Sequence, residues 1–427
     1  MSGSRDTVPE IERQLFHAFP SATTRQDDGW TVMPSSTADA ARAVAIANLC
    51  GCPVLVAARG ADERTGPPRP SIPPRSPILR LSLERMTGVL GVTESAMTAE
   101  VQAGIAMRNL EIALNDHGLT TGAVILPDVD PTLIDFVTND SFSEASILYG
   151  RTDRIYMGAE GVLPSGEVFR IKPAPVRAAG PDILGLLVAG HGRVSIVTAL
   201  ILRLGRLPKS RRVVLAGFRS DRLEDALTSA STAARVPIRL AAGRIYAPGW
   251  SDHAENGDAP HDHVAVFVIE GEQAVVEAMA VHLEGIVQAC GGALLPPQHT
   301  LATRFVRAPR VAGGEATASV CATASWPSVL QIHRDVAGRL GDALLASRFS
   351  DFFHEGCRVT WTVREGDLGR ETLAQVIETL RGLGGRLTSR HPALEGDLPP
   401  QLLDDGVLRL RMEALKRSMD PGGILVG

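Results

Sequence analysis

From Arg212 onward one order of patterns, strand then helix, occurs twice, and this recurrence limits the folds open to the chain. Arg212–Phe218 reads as a strand, Arg222–Arg235 as a helix and Ile238–Tyr246 as a strand, followed by strand His263–Glu270 and helix Glu272–Ala289. The order returns as strand Ala316–Ala324, helix Pro327–Ser347, strand Cys357–Arg364 and helix Glu371–Leu383. Runs of this kind, separated by long gaps, predict an α+β unit on an antiparallel sheet. A last helix, Leu402–Met419, is expected to stop at Asp420-Pro421-Gly422-Gly423, because Pro and Gly end helices.

The first half reads differently. Thr37–Cys50 is apolar at helical spacing, with Ser36 or Thr37 placed to cap it. Pro53–Ala57 is a short buried-strand pattern, and Ile78–Leu83 and Thr98–Ala103 alternate as strands. Gly104 turns the chain into a helix over Met107–His117, which Gly118 ends. Arg154–Leu163 and Glu167–Ile171 flank Pro164-Ser165-Gly166, the pattern of a hairpin. Asp182–Leu187 is a short helix and Ser195–Leu204 a long apolar strand. Several hairpins among helices exclude a simple doubly wound sheet.

Composition removes whole classes of function. The 427 residues are 44% hydrophobic and 21% charged, which is ordinary for a globular protein and excludes wholesale disorder. The net charge of −5, with arginines scattered, argues against nucleic acid as a partner. The five cysteines include a Cys50-Gly51-Cys52 pair too close for a zinc knuckle, so free thiols in a reducing compartment are expected. The N-terminus carries no signal-peptide pattern, and Ile183–Leu204 is interrupted by His191, Arg193 and Arg203, too polar for a membrane span. A cytoplasmic location is expected.

Common catalytic signatures are absent: there is no GxxxxGK[ST], HExxH, GxSxG or CxxC. Gly190-His191-Gly192-Arg193-Val194-Ser195 approximates a dinucleotide fingerprint but precedes a strand and ends in serine, against a nicotinamide site. His253, His261 and His263 lie among acidic residues in a loop; imidazole and carboxylate suit transition metals, but no tight ligand spacing repeats and a solvated loop is the simpler reading. His354, at a strand entrance, is a candidate acid or base, and Arg304, Arg307 and Arg310 are candidate carboxylate clamps. A locally hydrogen-bonded histidine and surface arginines are the structural alternatives.

Five segments in order give the chain a resemblance. They are VMPSSTADAARAVAIANLCGCPVLVAARGA (Val32–Ala61), AEVQAGIAMRNLEIALNDHGL (Ala99–Leu119), the hairpin from Leu148 to Val168, AGPDILGLLVAGHGRVSIVTALILRL (Ala179–Leu204) and LKRSMDPGGIL (Leu415–Leu425). Together they resemble the FAD-linked oxidases of the vanillyl-alcohol oxidase/p-cresol methylhydroxylase superfamily, nearest to its D-lactate dehydrogenase and glycolate oxidase branch. The resemblance implies an α+β fold: a two-subdomain PCMH-type FAD-binding domain over residues 1–210, an antiparallel-sheet cap over 211–400, and a C-terminal helix in 401–427 that returns to the first domain.

The resemblance further implies non-covalent FAD, held by backbone N–H groups of glycine-rich loops. The matching positions are Arg59, Gly60, Ala61, Gly104, Tyr149, Gly150, Gly190, Gly192 and Ser195. Arg307 would hold the carboxylate of a small 2-hydroxy acid and His354 would take its hydroxyl proton. Departures are concentrated in these same loops. Asp62 and Glu63 follow Ala61 where glycine and threonine are expected, Ile134 and Asp135 stand where the family has paired glycines, and no glycine occurs from Leu133 to Leu148. The second reading that follows is a degenerate, flavin-free homologue acting as an interaction or scaffold subunit, with a protein partner such as an intact paralogue.

Overall fold

The computed structural model describes residues 7–57, 77–125, 130–138, 143–144, 147–174, 181–247, 263–296, 317–364, 367, 369–390 and 406–426. Helix α1 (Thr7–Ala18) packs on α2 (Thr37–Cys50). The second helix forms as its pattern predicts: the Ser36 side chain accepts from the Asp39 N–H, and Gly51 closes the end at φ 61°. Its buried stripe of Ala40, Ala43, Val44 and Ala47 follows the i, i+3, i+4, i+7 spacing.

Four strands, β1 (Thr23–Gln26), β2 (Gly29–Val32), β3 (Val54–Ala57) and β4 (Ile78–Ser82), form a mixed sheet in the order β1-β2-β4-β3. The chain's far end joins it: the Val54 N–H donates to Ile424 O at 2.7 Å and the Val426 N–H to Val54 O at 3.0 Å, a parallel bridge on the outer edge of β3. A second sheet contains β5 (Val89–Thr93) and β6 (Thr98–Gln102). The segment after it holds helix α3 (Met107–Asn115), the short strands β7 (Leu119–Thr120) and β8 (Val124–Ile125), helix α4 (Leu133–Thr138) and strand β9 (Ser143–Glu144).

The expected hairpin is β10 (Tyr156–Val162) and β11 (Val168–Ile171), and the long apolar strand is β12 (Ile196–Arg203), entered from helix α5 (Ile183–Ala189). The second sheet has the order β11-β10-β12-β6-β5 and is antiparallel throughout. One hydrophobic core joins these elements from Ile11 to Leu204 and takes in Ile424 and Leu425.

After the two-residue β13 (Gly205–Arg206) come β14 (Ser210–Phe218), α6 (Leu223–Arg235), β15 (Leu240–Tyr246), β16 (His263–Gly271), α7 (Gln273–Ala289) and β17 (Ala293–Leu294). The same series follows: β18 (Thr317–Ser325), α8 (Trp326–Leu340), β19 (Leu344–Ser350), β20 (Gly356–Arg364), α9 (Arg370–Gly382) and β21 (Arg386–Arg390). All eight strands lie in one antiparallel sheet, β17-β14-β16-β15-β19-β20-β18-β21. Each series is a split βαββαβ unit with strand order 4-1-3-2, and the two units meet edge to edge where β15 pairs β19. The four helices cover one face, over a core that includes Phe218, Phe267, Val320, Phe349 and Trp361.

The fold is therefore α+β, with a PCMH-type architecture and a sheet-rich second part, as the sequence implies. One expectation is corrected. The helix expected over Pro327–Ser347 stops at Leu340, and Leu344–Ser350 is a strand. Gly341 breaks the helix at φ 50°, and strand pairing on both sides then outweighs the helical preference of the Leu-Leu-Ala run. Helix α10 (Gly406–Met419) ends ahead of Pro421. No helix among the described residues is long and apolar enough to cross a membrane.

Candidate functional site

The loops expected to face a diphosphate gather around α4, which packs on α5. At its start the Thr132 hydroxyl donates to Asp135 Oδ2 at 2.6 Å and accepts from the Asp135 N–H at 3.3 Å, a reciprocal cap. The Leu133 and Ile134 N–H groups donate to Ile105 O (2.8 Å) and Ala103 O (3.0 Å), and the Phe136 N–H to Thr132 O (2.9 Å). All four leading N–H groups of this helix are thus engaged by the chain itself. Ile134 takes helical geometry and is buried, so its branched side chain carries no left-handed strain. Burial raises the Asp135 carboxyl above its usual range, against the opposing hydrogen bonds from Thr132.

Gly104 lies between the two carbonyls that receive α4, and its role is a close approach. A Cβ there would collide with the Leu83 carbonyl oxygen. The third loop is equally closed. Gly190, His191, Gly192, Arg193, Val194 and Ser195 donate their N–H groups to Leu186, Val188, Ser195, Gly190, Gly190 and Gly190 carbonyls respectively, at 2.7–3.3 Å. The fully buried Ser195 hydroxyl donates to Leu187 O at 2.6 Å. His191 Nδ1 accepts from the Val197 N–H at 3.0 Å, which leaves the ring proton on Nε2, and desolvation lowers its pKa to about 4.

The C-terminus braces this loop. Lys416 Nζ donates to Arg193 O at 2.6 Å and to Leu425 O at 2.8 Å and pairs with Asp420. The buried Asp420 carboxylate also accepts the Ile424 and Leu425 N–H groups at 2.9 and 2.8 Å.

Tyr149 links the two halves. Its ring lies where Gly122, at φ 72°, has no side chain. Around it a small open cleft, with about 10 Å³ of room, is lined by Thr121, Gly122, Phe136, Tyr149, Gly150 and Ile155. The Tyr149 hydroxyl donates to Glu270 Oε2 at 2.8 Å, and Arg211 pairs with the other oxygen of that buried carboxylate. Burial first, and the Glu270 charge second, push the phenol well above its ordinary pKa, so it stays a donor.

Glu270 belongs to the sheet face turned away from the helices, where Leu148 and Tyr149 pack against Leu215, Tyr246, Val264 and Val266. Further along this face the register sets Arg244 opposite Ser350, Ser350 opposite Arg358, Tyr246 opposite Arg348, and Arg348 opposite Thr360. The alternate residues Ile245, Phe349, Val359 and Trp361 point into the helix-covered core, so the polar set shares the other face. Arg244 is fully buried and its Nη1 donates to the Tyr246 hydroxyl at 3.0 Å. Arg358 Nε lies 2.8 Å from the buried Asp351 carboxylate, and Asp351 holds a left-handed φ of 53°.

The sequence-predicted residues divide accordingly. Gly104, Gly190, Gly192 and Ser195 converge on the α4–α5 region, whereas Tyr149 and Gly150 line the cleft. Arg59, Gly60, Ala61, Arg307, Arg304, Arg310, His253 and His261 lie outside the described residues. His354 is exposed on the β19–β20 turn, with its carbonyl accepting from Arg235 Nε at 3.4 Å. His263 is buried, with Nε2 3.0 Å from Ser220 O, and the described residues contain no group of three or more metal-ligating side chains. The arginine-bearing sheet face was missed by the sequence reading. Its signal was the alternation Arg358-Val359-Thr360-Trp361-Thr362-Val363, polar on one face and apolar on the other.

A diphosphate cradle needs backbone donors aimed outward. Among the described residues, the N–H groups at the start of α4 and in the third loop are engaged by the chain itself, and the half-buried Asp135 carboxyl stands at the start of α4. The described parts of these two loops do not fit FAD in that pose.

Residues 30–172 match the family described as FAD binding domain. The uncharacterized FAD-linked oxidoreductase YgcU of Escherichia coli O157:H7 is 24% identical over 381 residues, 80% of this chain and 76% of its own. Glycolate oxidase subunit GlcD of Bacillus subtilis (strain 168) is 24% identical over 380 residues, 81% of this chain and 78% of its own. Among solved structures, p-cresol methylhydroxylase with substrate bound is similar at a TM-score of 0.75 and 13% identity, covering 100% of this chain and 97% of that one.

Proposed function

We infer that this chain, whose fold is PCMH-type and whose likenesses support membership of the PCMH/VAO-like FAD-binding oxidoreductase superfamily, serves as a ligand-binding or scaffold subunit that does not hold FAD through its diphosphate loops. In this reading residues 1–210 with 401–427 form the FAD-domain-like part and 211–400 the cap. The observation that carries it is the start of α4. Its four N–H groups are engaged by Thr132, Ala103 and Ile105, and a carboxyl rather than a glycine occupies the second position of the expected pair.

A second reading is favoured by the match of residues 30–172 and by the likeness to an FAD-linked oxidoreductase and a glycolate oxidase subunit. It is an FAD-linked oxidoreductase acting on a small 2-hydroxy acid, with non-covalent FAD held chiefly by the loop that begins Arg59-Gly60-Ala61. The roles expected of Arg307 and His354 belong to this reading.

The visible absorbance spectrum of freshly purified protein, repeated after incubation with excess FAD and desalting, separates the two. The first reading expects colourless protein both times, and a gain of at least tenfold in FAD affinity for the Ile134→Gly/Asp135→Gly variant. Flavin bands that survive desalting in the unaltered chain would overturn it and restore the oxidoreductase.

A further inference from the structure

The Cys50-Gly51-Cys52 sequence has no part in the flavin argument, yet the fold holds its two thiols in a fixed relation. Cys50 is the last residue of α2, and Gly51 turns out of the helix at φ 61° and ψ 30°. The Gly51 N–H donates to Asn48 O at 3.2 Å and the Cys52 N–H to Ala47 O at 2.9 Å, the paired bonds of a Schellman motif. A left-handed helical residue sets the Cα atoms on either side of it about 5.4 Å apart, by the mirror image of α-helix geometry. Disulfides span Cα separations of roughly 4.4–6.8 Å, so the backbone already offers the span of one. Both thiols are free in this structure.

The two sulfurs are unequally placed. Cys50 is part-exposed, and a Cβ on Gly51 would meet nothing within 4 Å, so the turn is open to a small oxidant. Cys52 is 4% exposed, and its thiol donates to Pro77 O at 3.2 Å, tying the end of α2 to the approach to β4. Two residues on, the Val54 N–H donates to Ile424 O and the Val54 carbonyl accepts from Val426, the bridge that seats the C-terminus. Burial first, and the Glu10 carboxylate second, raise the Cys50 thiol, and burial pushes Cys52 up to about 11, so neither is ionised in advance and closure is slow at neutral pH. Of the other thiols, Cys321 and Cys357 sit on neighbouring strands but face opposite sides of their sheet.

We propose that Cys50 and Cys52 form a modification site for hydroperoxides, closing to a disulfide that loosens the C-terminal segment from β3. The Cys50 sulfur attacks the peroxide O–O bond and becomes a sulfenic acid, releasing an alcohol, or water where the oxidant is hydrogen peroxide. The Cys52 sulfur then attacks the Cys50 sulfur, the S–S bond forms, and the sulfenic hydroxyl leaves as water with the Cys52 thiol proton. Two thiols and one hydroperoxide thus become one disulfide, one alcohol and one water, the sulfurs losing two electrons and the peroxide gaining them. The oxidised Cys52 sulfur carries no hydrogen, so Pro77 O loses its donor, and drawing that sulfur toward Cys50 displaces Pro53 and Val54. The site goes beyond the proposed function and does not depend on whether FAD is held.

The test exposes the reduced full-length chain to hydrogen peroxide. It reads the thiol count after denaturation, the mass of the tryptic peptide Ala43–Arg59, which carries both cysteines, and amide exchange in the native state. The thiol count is expected to fall by two from its five, and the peptide to lose two hydrogens without gaining oxygen, both reversed by dithiothreitol. The Val54 and Val426 amides should then exchange about tenfold faster, and Cys50→Ser should abolish that change. The proposal is overturned if the peptide keeps two free thiols or only gains oxygen, or if the disulfide forms and both amides exchange as before. It is also overturned if Cys50→Ser shows the same acceleration. Should Cys50→Ser fail to fold, reversal of the faster exchange by dithiothreitol in the unaltered chain decides the case, and exchange that stays fast after reduction counts against the site.

Discussion

The two halves of the molecule bury polar groups in opposite ways. Around α4 and the Gly190–Ser195 turn, the polar groups are backbone amides, and each is matched by a carbonyl or hydroxyl of the same chain. On the sheet face around Ser350 they are long charged side chains projecting from rigid strands. Among the described residues of the first region, the N–H groups at the start of α4 and in the turn are engaged by the chain itself. In the second, the buried Arg358 guanidinium is matched by the Asp351 carboxylate and Arg244 by the Tyr246 hydroxyl. Backbone donors are closed by ordinary helix capping, whereas a buried arginine needs a side-chain partner.

The comparison can be broken most severely at Asp420. Its carboxylate receives the Ile424 and Leu425 N–H groups and the Lys416 ammonium. Asp420→Ala leaves the two N–H groups buried and unmatched and removes the counter-charge of Lys416, which keeps Arg193 O and Leu425 O, and is expected to cost about 3–5 kcal/mol in urea unfolding. A loss under 1 kcal/mol would mean that the first half does not depend on its closed loops.

Acid provides the next test, since among the described residues each half carries a desolvated histidine of lowered pKa. His191 is lowered by burial to about 4; His333 is lowered to about 4 by burial first, then by the charges of His263 and Arg334. Both folded values lie below the unfolded one, so their contribution is complete above pH 6.5 and is lost as pH falls from 6.5 through 4. His191→Asn and His333→Gln keep an acceptor for Val197 N–H and Trp361 Nε1, and each should flatten the stability profile in that window by on the order of 1–3 kcal/mol. Unchanged profiles would show that neither ring is held neutral.

The smallest effect sharpens the link between the halves. Tyr149→Phe removes one hydroxyl from Glu270, which keeps Arg211, and should cost about 1 kcal/mol by the same unfolding measurement. A loss of several kcal/mol would make Tyr149 the principal fastener rather than one contact among many.

Elements with strong local signals were legible in the sequence. Thr37–Cys50 was read with its cap and its end because Ser36, Asp39 and Gly51 act within a few residues of one another. The stretch from Leu344 to Ser347 was read as the end of a helix because its strand state depends on pairing with β15, far back in the sequence, and with β20. That error hid the polar face of the sheet: without a strand over Leu344–Ser350, nothing placed Arg348 opposite Tyr246 and Thr360. The altered glycine positions were visible as residue types, but their consequence was not. At these two glycine positions the chain accommodates Ile134 by helical geometry and Asp135 by burial and the Thr132 cap.

The bridge between Val54 and Leu425 also bears on how the molecule assembles. β3 is made early, yet its outer edge waits for a partner about 370 residues further on, so the first sheet cannot be completed until nearly all of that chain is available. Closing so long a loop is an entropic demand that local contacts cannot share, and it places this pairing among the slow events of folding. Until it forms, β3 presents an open edge of unpaired backbone, the kind of surface that recruits a neighbouring chain instead. Slowing delivery of the C-terminal segment should therefore appear as aggregation seeded from the N-terminal half before it appears as loss of any single contact.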